Sequence, residues 1–479
     1  MTRSNHPNRP EKWRLALLQF VFCLGLASSA HSGGLPSGVV AALRAAQIPE
    51  SAVAVIVQPV DAKAPLIAHN AQQAMNPASV MKLLTTYAAL DLLGPAYTWK
   101  TGALVDRPPT SGILEGNLYL RGSGDPKLLI EHFWTLLRQL RVRGIRQING
   151  DLIVDRSAFS VTTIDPGAFD DKPMRPYNVG PDALLINFQT LRFTLQPDAQ
   201  QVVLLPETPS DGLHIDNKLQ LTGGACGGNW KDLVVPRLLA DNKGLRLEIS
   251  GSYASQCGER SLNLAPLTAD VQVATLFRAL WKELGGSFSG QVRTGTTPNN
   301  ARLVAVLESP ALAEIVRDTN KFSNNVMARQ LFLALGNEGG SATPEKARAH
   351  IKQWLLERGL NMPELEIENG SGLSRRERIS ANSLNRLLLD AWNNPVMPEL
   401  VASLPIVGSD GTMKKRLRTS EISGRAHIKT GSLDSVKSAA GYAINTQGRR
   451  FAITFLINHQ RAQAGQAAID ALLLWIAQQ

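Results

Sequence analysis

Cysteine, aromatic residues and long apolar runs are all scarce in this chain. It contains three cysteines, and aromatic residues make up 6% of its 479 residues. Cys23 lies in an N-terminal apolar stretch, which leaves Cys226 and Cys257 for the folded part, and no histidine cluster adjoins them. Two thiolates are too few for a tetrahedral zinc site. We therefore expect no metal ion.

Further absences exclude other classes of protein. The formal net charge is +10, but no dense run of lysine and arginine with interleaved aromatic residues suggests a nucleic-acid partner. Gly122–Gly124 is not followed by the third glycine of a dinucleotide-binding fingerprint. Neither Gly-x-Ser-x-Gly nor His-Glu-x-x-His occurs. We expect a protein without a cofactor.

The N-terminus has the pattern of a signal peptide over residues 1–30. Basic residues precede the apolar run Leu15–Ala27, and small residues follow at 27–30. The apolar run is too short to span a bilayer. These features predict an exported, periplasmic protein without a transmembrane anchor. Because export leads to an oxidising compartment, we expect Cys226 and Cys257 to form a disulfide.

The chain does contain a serine and a lysine placed for nucleophilic chemistry. Ser79-Val80-Met81-Lys82 is the only Ser-x-x-Lys in the sequence, and it opens an almost wholly apolar stretch, Ala78–Leu93. Asn76 and Pro77 suggest an N-cap and a first helical position. Three residues apart on a helix, Ser79 and Lys82 share a face. A buried lysine loses proton affinity and becomes a base for the serine hydroxyl.

Two further motifs follow in a fixed order. Lys429-Thr430-Gly431 opens a series of antiparallel strands over residues 427–458, whereas the spare copy at Lys100 comes too early for the order. Of four Ser-x-Asn sequences, Ser323-Asn324-Asn325 is preferred because it lies in a short loop between two predicted helices. Ser261 is the second choice. Ser-x-x-Lys, Ser-x-Asn and Lys-Thr-Gly in this order are typical of serine enzymes that cut D-alanyl peptides or β-lactams.

The distance between the first two motifs predicts inserted domains. Lys82 and Ser323 are 241 positions apart, too many for one loop in a compact domain. The intervening sequence has several strand-like runs bounded by glycine, proline or aspartate, and one predicted helix. We expect a catalytic domain formed by residues 31–97 and 264–479. Residues 98–263 would form β-rich inserted material, in two small domains.

Taken together, the motifs and their spacing resemble a known family. Ser371-Gly372-Leu373-Ser374-Arg375 and the segment Leu404–Thr412 also have its character. From about Leu43 onward the chain resembles class C low-molecular-mass penicillin-binding proteins, the D-alanyl-D-alanine carboxypeptidases/endopeptidases of the type-4 kind (peptidase family S13). The resemblance implies an α/β (α+β) fold of the serine β-lactamase/DD-peptidase kind. In that fold an antiparallel sheet is flanked by helices and carries large inserted β-rich domains.

The resemblance also implies roles for single residues. Ser79 would be acylated, with Lys82 taking its proton, although the superfamily leaves open which group is the base. Backbone N–H groups of Ser79 and Ser432 would form the oxyanion hole. The remaining catalytic and substrate-binding residues implied are Ser323 and Lys429 as a proton relay, Asn325 for the substrate amide, and Thr430, Gly431 and Ser432 on the strand that binds the terminal carboxylate.

A second implied set reads the side chain of the stem peptide. An acidic residue, a phenylalanine and an arginine that recognise diaminopimelate correspond to Asp155, Phe159 and Arg375. The first two also have a plainer interpretation, since Asp155 ends a predicted strand and Phe159 suits a core. The expected partners are peptidoglycan stem peptides and, as covalent inhibitors, β-lactam antibiotics. The sequence leaves a homodimer open.

Two alternatives share these motifs. A serine β-lactamase or broad esterase would use the same residues, but the long insertion argues against it. The sequence Glu259–Asn263 imitates the deacylating loop of class A β-lactamases, yet it precedes Ser323 instead of following it. A wall-binding module without activity is the non-enzymatic alternative, and the intact motifs disfavour it.

Overall fold

The computed structural model describes residues 34–162, 164–241, 244–337 and 339–479. All of them belong to one compact unit, Ser32–Gln479. The predicted signal peptide, residues 1–30, lies outside the described residues. Within the described ranges, no helix combines the length and the apolar character needed to cross a bilayer.

Segments from both ends of the chain form the main sheet. Its five antiparallel strands are, in spatial order, Ala426–Leu433, Val436–Ile444, Arg450–Asn458, Val53–Pro59 and Ile67–His69. The three C-terminal strands confirm the antiparallel series predicted around Lys-Thr-Gly. Val53–Pro59 is buried at every position. Its even-numbered residues face one apolar core and its odd-numbered residues face another, as the alternation of side chains along a strand requires.

Helices cover both faces of the main sheet. One face packs against Ser37–Ala45 and Gln466–Ala477, the second of which follows a 3₁₀ turn at Ala462–Gly465. The other face carries the larger helical layer and the core that surrounds Tyr87 and Trp354. The helices of that layer are Lys82–Leu93, Leu312–Lys321, Asn325–Ala334, Pro344–Glu357, Ala381–Trp392 and Met397–Ser403. A two-stranded ribbon pairs Ala74–Met75 with Ile379–Ser380.

The start of the first helix in this layer differs from the prediction. A 3₁₀ turn, Ala78–Met81, precedes the α-helix Lys82–Leu93, and Pro77 rather than Asn76 occupies the cap position. The Asn76 carboxamide accepts a hydrogen bond from the Ala78 N–H at 2.9 Å and donates one to the Ser374 carbonyl at 2.8 Å. Asn76 therefore joins two loops, a long-range contact that no local capping rule contains.

The inserted part begins with a second sheet. Its spatial order is Val292–Thr294, Leu152–Asp155, Leu118–Arg121, Lys100–Val105 and Arg302–Glu308. Its core includes residues of two helices, Ile130–Val142 and Ala269–Glu283. A small parallel ribbon adjoins it, formed by Ile113–Leu114, Gln147–Ile148 and Ser287–Phe288. This pairing differs from the predicted boundary at residues 263/264, because residues 269–308 pack and pair with the second sheet and not with the main one.

Two three-stranded sheets make up the rest of the insertion. One contains Leu191–Pro197, Val202–Pro206 and Arg260–Leu264, and the other Leu213–Thr222, Val234–Asp241 and Gly244–Ala254. They share an apolar core of their own. Cys226 and Cys257 are joined by a disulfide in this core, with their Cα atoms 4.6 Å apart. The bond closes a segment in which the two cysteines are 31 positions apart.

The disulfide is expected to stabilise the insertion without affecting the reaction predicted at Ser79. Replacing both cysteines by serine, Cys226→Ser/Cys257→Ser, should lower the free energy of unfolding by about 3 kcal/mol, because the open chain regains loop entropy. Urea unfolding followed by circular dichroism measures the change. The rate of labelling by a fluorescent penicillin, which the sequence predicts to occur at Ser79, should stay at the wild-type value. Coincident unfolding curves for the two proteins would contradict the prediction.

Candidate active site

Ser79 lies in a turn that two other chain segments clamp. The preceding residue, Ala78, is fully buried and has φ of 47°, a left-handed conformation that costs a non-glycine residue energy. A Cβ atom at Gly372 would lie 2.7 Å from the Ser79 nitrogen, and one at Gly431 would lie 2.9 Å from the same atom. Neither distance is possible for a real side chain. The backbones at Gly372 and Gly431 therefore both pack directly against the Ser79 turn.

Lys82 is completely buried behind Ser79 and is surrounded by oxygen atoms. Its Nζ lies 2.9 Å from Ser79 Oγ and donates to Asn325 Oδ1 at 2.7 Å and to the Ser371 carbonyl. Burial, and then the positive charge of Lys429, lower the pKa of Lys82 well below its ordinary value. A neutral amine has two N–H bonds and one lone pair. Asn325 Oδ1 and the Ser371 carbonyl oxygen can only accept, and they take up the two N–H bonds. The lone pair of Lys82 Nζ is therefore left for the Ser79 hydroxyl.

Ser323 and Lys429 form a second pair beside the first. Lys429 is fully buried, and its Nζ donates to Ser323 Oγ at 2.8 Å and to the Thr430 carbonyl at 2.8 Å. Burial lowers the pKa of Lys429 to about 7. Ser323 has φ of 55° in the turn between two helices, and Asn324 caps the second helix by accepting from the Met327 N–H. This turn directs both the Ser323 hydroxyl and the Asn325 carboxamide toward lysines.

The strand that carries Lys429 lies at the edge of the main sheet. Thr430 Oγ1 lies 2.8 Å from Thr412 Oγ1, and the exposed Ser432 donates from Oγ to Gln463 Oε1 at 2.9 Å. Gly431 between them is buried. The structure thus brings all eight motif residues that we predicted from sequence into one region. It does not do so for Ser261, which lies on a strand of the insertion and accepts from Arg192 at 3.2 Å.

The three residues predicted to read the stem side chain lie in different surroundings. Asp155 is 2% exposed, and its two oxygens accept from the N–H groups of Ser157 at 3.0 Å and Thr297 at 2.8 Å. Burial raises the pKa of Asp155, but the hydrogen bonds from Thr297 and Ser157 outweigh it, so the net shift is downward. Phe159 is 8% exposed and lies against Gly124.

Arg375 is exposed and faces the loop that follows Asp155. It donates to the Phe169 carbonyl at 3.0 Å, and its guanidinium lies 4.8 Å from the centre of the Phe169 ring. Arg375 lines a cavity of about 450 Å³, and Phe159 lines one of about 460 Å³. The two cavities share several lining residues of the loop between Asp155 and Leu191, namely Val161, Thr162, Ile164, Pro166 and Pro181. Asp155 lines neither of them.

A wider cleft of about 1070 Å³ opens beside Ser323. One wall is the segment Phe322–Val326, in which Phe322 is 68% exposed. The opposite wall belongs to the insertion and includes Lys172, Arg175 and Trp230. The insertion therefore borders the same turn that directs Asn325 toward Lys82.

The sequence analysis missed two buried charged residues next to the site. Glu377 is fully buried two residues beyond Arg375, and Arg329 is 7% exposed on the helix that begins at Asn325. Burial lowers the pKa of Arg329 to about 10. The only sequence signal was a pair of charged residues in otherwise apolar or motif-rich segments. Nothing in the sequence located them near Lys82.

Comparison with known proteins agrees with this geometry. The family described as "D-Ala-D-Ala carboxypeptidase 3 (S13) family" matches residues 37–479. The D-alanyl-D-alanine carboxypeptidase DacB of Haemophilus influenzae is 27% identical over 401 residues, which are 81% of this chain and 82% of that protein. A D-alanyl-D-alanine carboxypeptidase of an Actinomadura species is 29% identical over 427 residues, covering 84% of this chain and 77% of the relative.

Solved structures confirm the fold. Penicillin binding protein 4 from Haemophilus influenzae superposes with a TM-score of 0.76 at 24% identity, covering 91% of this chain and 98% of the other. A predatory peptidoglycan endopeptidase from Bdellovibrio bacteriovorus gives a TM-score of 0.52 at 17% identity, covering 89% and 92%. The predicted fold of a DD-peptidase-like domain with inserted sheets is therefore correct.

Gly431 offers a direct test of the clamp around Ser79. Gly431→Ala should slow acylation of Ser79 by fluorescent penicillin about 100-fold, because a displacement near 1 Å at the nucleophile has that effect. Gly340→Ala is the matched control, since a Cβ there meets nothing within 4 Å. It should react at the wild-type rate. A Gly431→Ala protein that reacts as fast as this control would show that a Cβ at residue 431 does not displace Ser79, which would contradict the prediction.

Proposed function

Because the chain belongs to the D-Ala-D-Ala carboxypeptidase 3 (S13) family, we propose that Ser79 forms the acyl-enzyme in hydrolysis of D-alanyl-D-alanine peptides. The substrates are peptidoglycan stem peptides and the cross-links between them, cut by carboxypeptidase and endopeptidase action. The observation that carries the proposal is the surroundings of Lys82. The two N–H groups of a neutral Lys82 have acceptors, so its lone pair is available to the Ser79 hydroxyl, whose Oγ lies 2.9 Å from Lys82 Nζ.

Acylation begins with proton transfer from Ser79 to Lys82. The oxygen attacks the carbonyl carbon between two D-amino acids, a C–O bond forms, and the C–N bond then breaks. Burial lowers the pKa of Lys82, so a larger share of the amine is neutral and able to accept the proton near neutral pH. The Asn325 and Ser371 oxygens hold the resulting ammonium group.

The negative charge that develops on the carbonyl oxygen needs donors already in place. The backbone N–H groups of Ser79 and Ser432 are our candidates for this oxyanion hole. The close approach of the Gly431 backbone to the Ser79 nitrogen supports the assignment, since it puts the edge strand next to that N–H. Donors fixed before the reaction stabilise the transition state without the cost of reorganisation.

Departure of the leaving amine needs a proton, and Ser323 with Lys429 can supply it. Burial gives Lys429 a pKa of about 7, so both of its protonation states are present at neutral pH. Its contact with Ser323 Oγ provides a path from the ammonium group through the hydroxyl to the amine. Thr430 and Ser432 are placed on the exposed side of the strand, where they would bind the terminal carboxylate of a carboxypeptidase substrate.

Hydrolysis of the acyl-enzyme requires a water molecule but no dedicated glutamate in this proposal. Glu259, the candidate from the sequence, directly precedes the strand Arg260–Leu264 of the insertion. A β-lactam would therefore acylate Ser79 and leave slowly, which makes β-lactams covalent inhibitors. The Haemophilus influenzae relative has been solved in complex with a β-lactam, which supports the same chemistry here. The disulfide Cys226–Cys257 supports export to the periplasm.

We further propose that Arg375 reads the side chain of the third stem residue. Diaminopimelate ends in a carboxylate as well as an amine, whereas lysine ends in an amine alone. An exposed guanidinium, which among the described residues contacts the Phe169 carbonyl and ring, can bind that carboxylate. Phe159 lines the neighbouring cavity, which shares wall residues with the cavity that Arg375 lines. A contribution of Asp155 stays a prediction, and it requires the Asp155 carboxylate to leave its present N–H partners.

The central proposal is tested at Ser79. Ser79→Ala should reduce release of D-alanine from a pentapeptide about 1,000-fold or more, because no other hydroxyl can form the acyl-enzyme. Ser323→Ala should also lower the rate, whereas Ser261→Ala, at the rejected Ser-x-Asn, should leave it unchanged. The peptide labelled by fluorescent penicillin should contain Ser79. Full release of D-alanine by Ser79→Ala, or rapid repeated turnover of nitrocefin, would refute the proposal, the latter in favour of a β-lactamase.

Recognition of the stem is tested separately. Arg375→Ala should raise KM about tenfold for a diaminopimelate pentapeptide, the effect of losing one charge-assisted hydrogen bond, and leave KM for the lysine pentapeptide unchanged. Arg302→Ala, an exposed arginine on the second sheet, is the control. Asp155→Ala is measured in parallel. Equal changes for the two peptides would argue against a recognition role for either residue.

A further inference from the structure

Glu377 occupies a position that the proposed mechanism does not use. Its side chain has no exposure to solvent. Oε1 accepts three backbone hydrogen bonds, from the N–H groups of Glu368 at 3.1 Å, Asn369 at 3.0 Å and Gly370 at 3.0 Å. Three donors converging on one oxygen are an arrangement that stabilises a carboxylate anion. The turn over residues 368–370 is thus folded around this oxygen.

The same turn delivers an oxygen to Lys82. The carbonyl of Ser371, the next residue, accepts from Lys82 Nζ. The Gly370 carbonyl accepts from Thr85 Oγ1 at 2.6 Å, one turn further along the helix that carries Lys82. The Glu377 carboxylate therefore acts on the lysine through the turn. If the three N–H groups lost their acceptor, the Ser371 carbonyl would lose its support.

The second carboxylate oxygen has a different environment. Oε2 is buried and has no hydrogen-bond partner among the described residues. The charged groups around the pair are Lys82 on its helix, Lys429 on the edge strand, Arg329 on the helix Asn325–Ala334 and Glu368 in the turn. Burial raises the pKa of Glu377, and the opposing effects of the N–H donors and of the Lys82 charge do not reverse this net upward shift. Its negative charge in turn favours the protonated form of Lys82, against the effects of burial, Lys429 and Arg329.

We propose that Glu377 is a positioning residue that fixes the Ser371 carbonyl against Lys82 and whose negative charge sets the pH range in which Lys82 can act as the base. The proposal rests on the function proposed for Ser79 and Lys82. Without this charge, burial and the positive charges of Lys429 and Arg329 would lower the pKa of Lys82 further, and the amine would give up its proton at still lower pH. With it, the amine remains able to hold the proton that it receives from Ser79.

Two substitutions separate the two parts of this role. Glu377→Gln keeps an acceptor for the three N–H groups but removes the charge. The rate of Ser79 acylation by fluorescent penicillin should then keep its plateau, while the acid limb of its pH profile moves to lower pH. Glu377→Ala removes the acceptor as well, and its plateau should fall about 100-fold, because the Ser371 carbonyl and Lys82 shift. Glu377→Asp, which keeps the charge, should retain the wild-type limb.

Glu364→Gln is the matched control. Glu364 also accepts from a backbone N–H, that of Ser380 at 3.1 Å, and from Ser383 Oγ at 2.6 Å. Both partners lie at the start of the helix Ala381–Trp392, which Ser380 caps, and neither belongs to the turn that holds Ser371. Its pH profile should equal that of the wild type. Thermal unfolding of each variant establishes that the protein is folded, and Glu377→Gln keeps the test decisive if the alanine variant fails to fold.

The results that would overturn this proposal differ from those that would overturn the proposed function. An acid limb of Glu377→Gln that coincides with the wild type or moves to higher pH would overturn the proposal, and so would a folded Glu377→Ala protein with the wild-type plateau. In either case wild-type labelling at Ser79 would leave the proposed function intact. A wild-type protein that does not react with penicillin would overturn both.

Discussion

Complete loss of solvent around Lys82 is the constraint on which the site depends. A charged lysine without water is costly, so its surroundings must either neutralise it or provide partners for every N–H bond. One partner, Ser79, is three residues away in the chain, and two come from distant segments: Asn325 from the turn between two helices, and Ser371 from a loop. Each segment is held in turn by contacts that serve no chemistry, such as the Asn324 cap. The arrangement is a buried polar network in which each donor needs its acceptor.

The insertion takes part in this network. Arg329 donates to the Val179 carbonyl, and the Gln330 carboxamide exchanges two hydrogen bonds with the backbone of Asp182, at 3.0 and 2.8 Å. Both partners belong to the long loop of the insertion. The helix that begins at Asn325 is thus supported from outside the main domain. An inserted domain that merely decorated the surface would not bury an arginine and a glutamine of the catalytic layer.

Sequence reasoning reached the parts of the site that short motifs determine. The spacing of Ser79 and Lys82, the loop that contains Ser323 and the strand that contains Lys429 follow from helix and strand periodicity, and the order of the motifs joined them. Contacts that depend on backbone groups could not be predicted from the sequence. Glu377 is held by three backbone N–H groups, which every residue type except proline supplies. The hydrogen bonds that occupy Asp155 are of the same kind. The predicted end of the insertion at residue 263 was too early because edge strands 292–294 and 302–308 pair with partners more than a hundred residues away.

The strand order of the main sheet has a consequence for biosynthesis. Val53–Pro59 lies between Ile67–His69 and Arg450–Asn458, and its pairing with the latter joins the two ends of the chain. The strand that carries Lys429 lies at the edge of the sheet and pairs with Val436–Ile444, which in turn pairs with Arg450–Asn458. A chain emerging from a ribosome can therefore complete the insertion, whose strands all lie within residues 100–308, long before the Ser79 turn meets the strand that carries Lys429. Ser79 therefore gains its last neighbours only when the final strands arrive, so a chain truncated before residue 458 lacks part of the site.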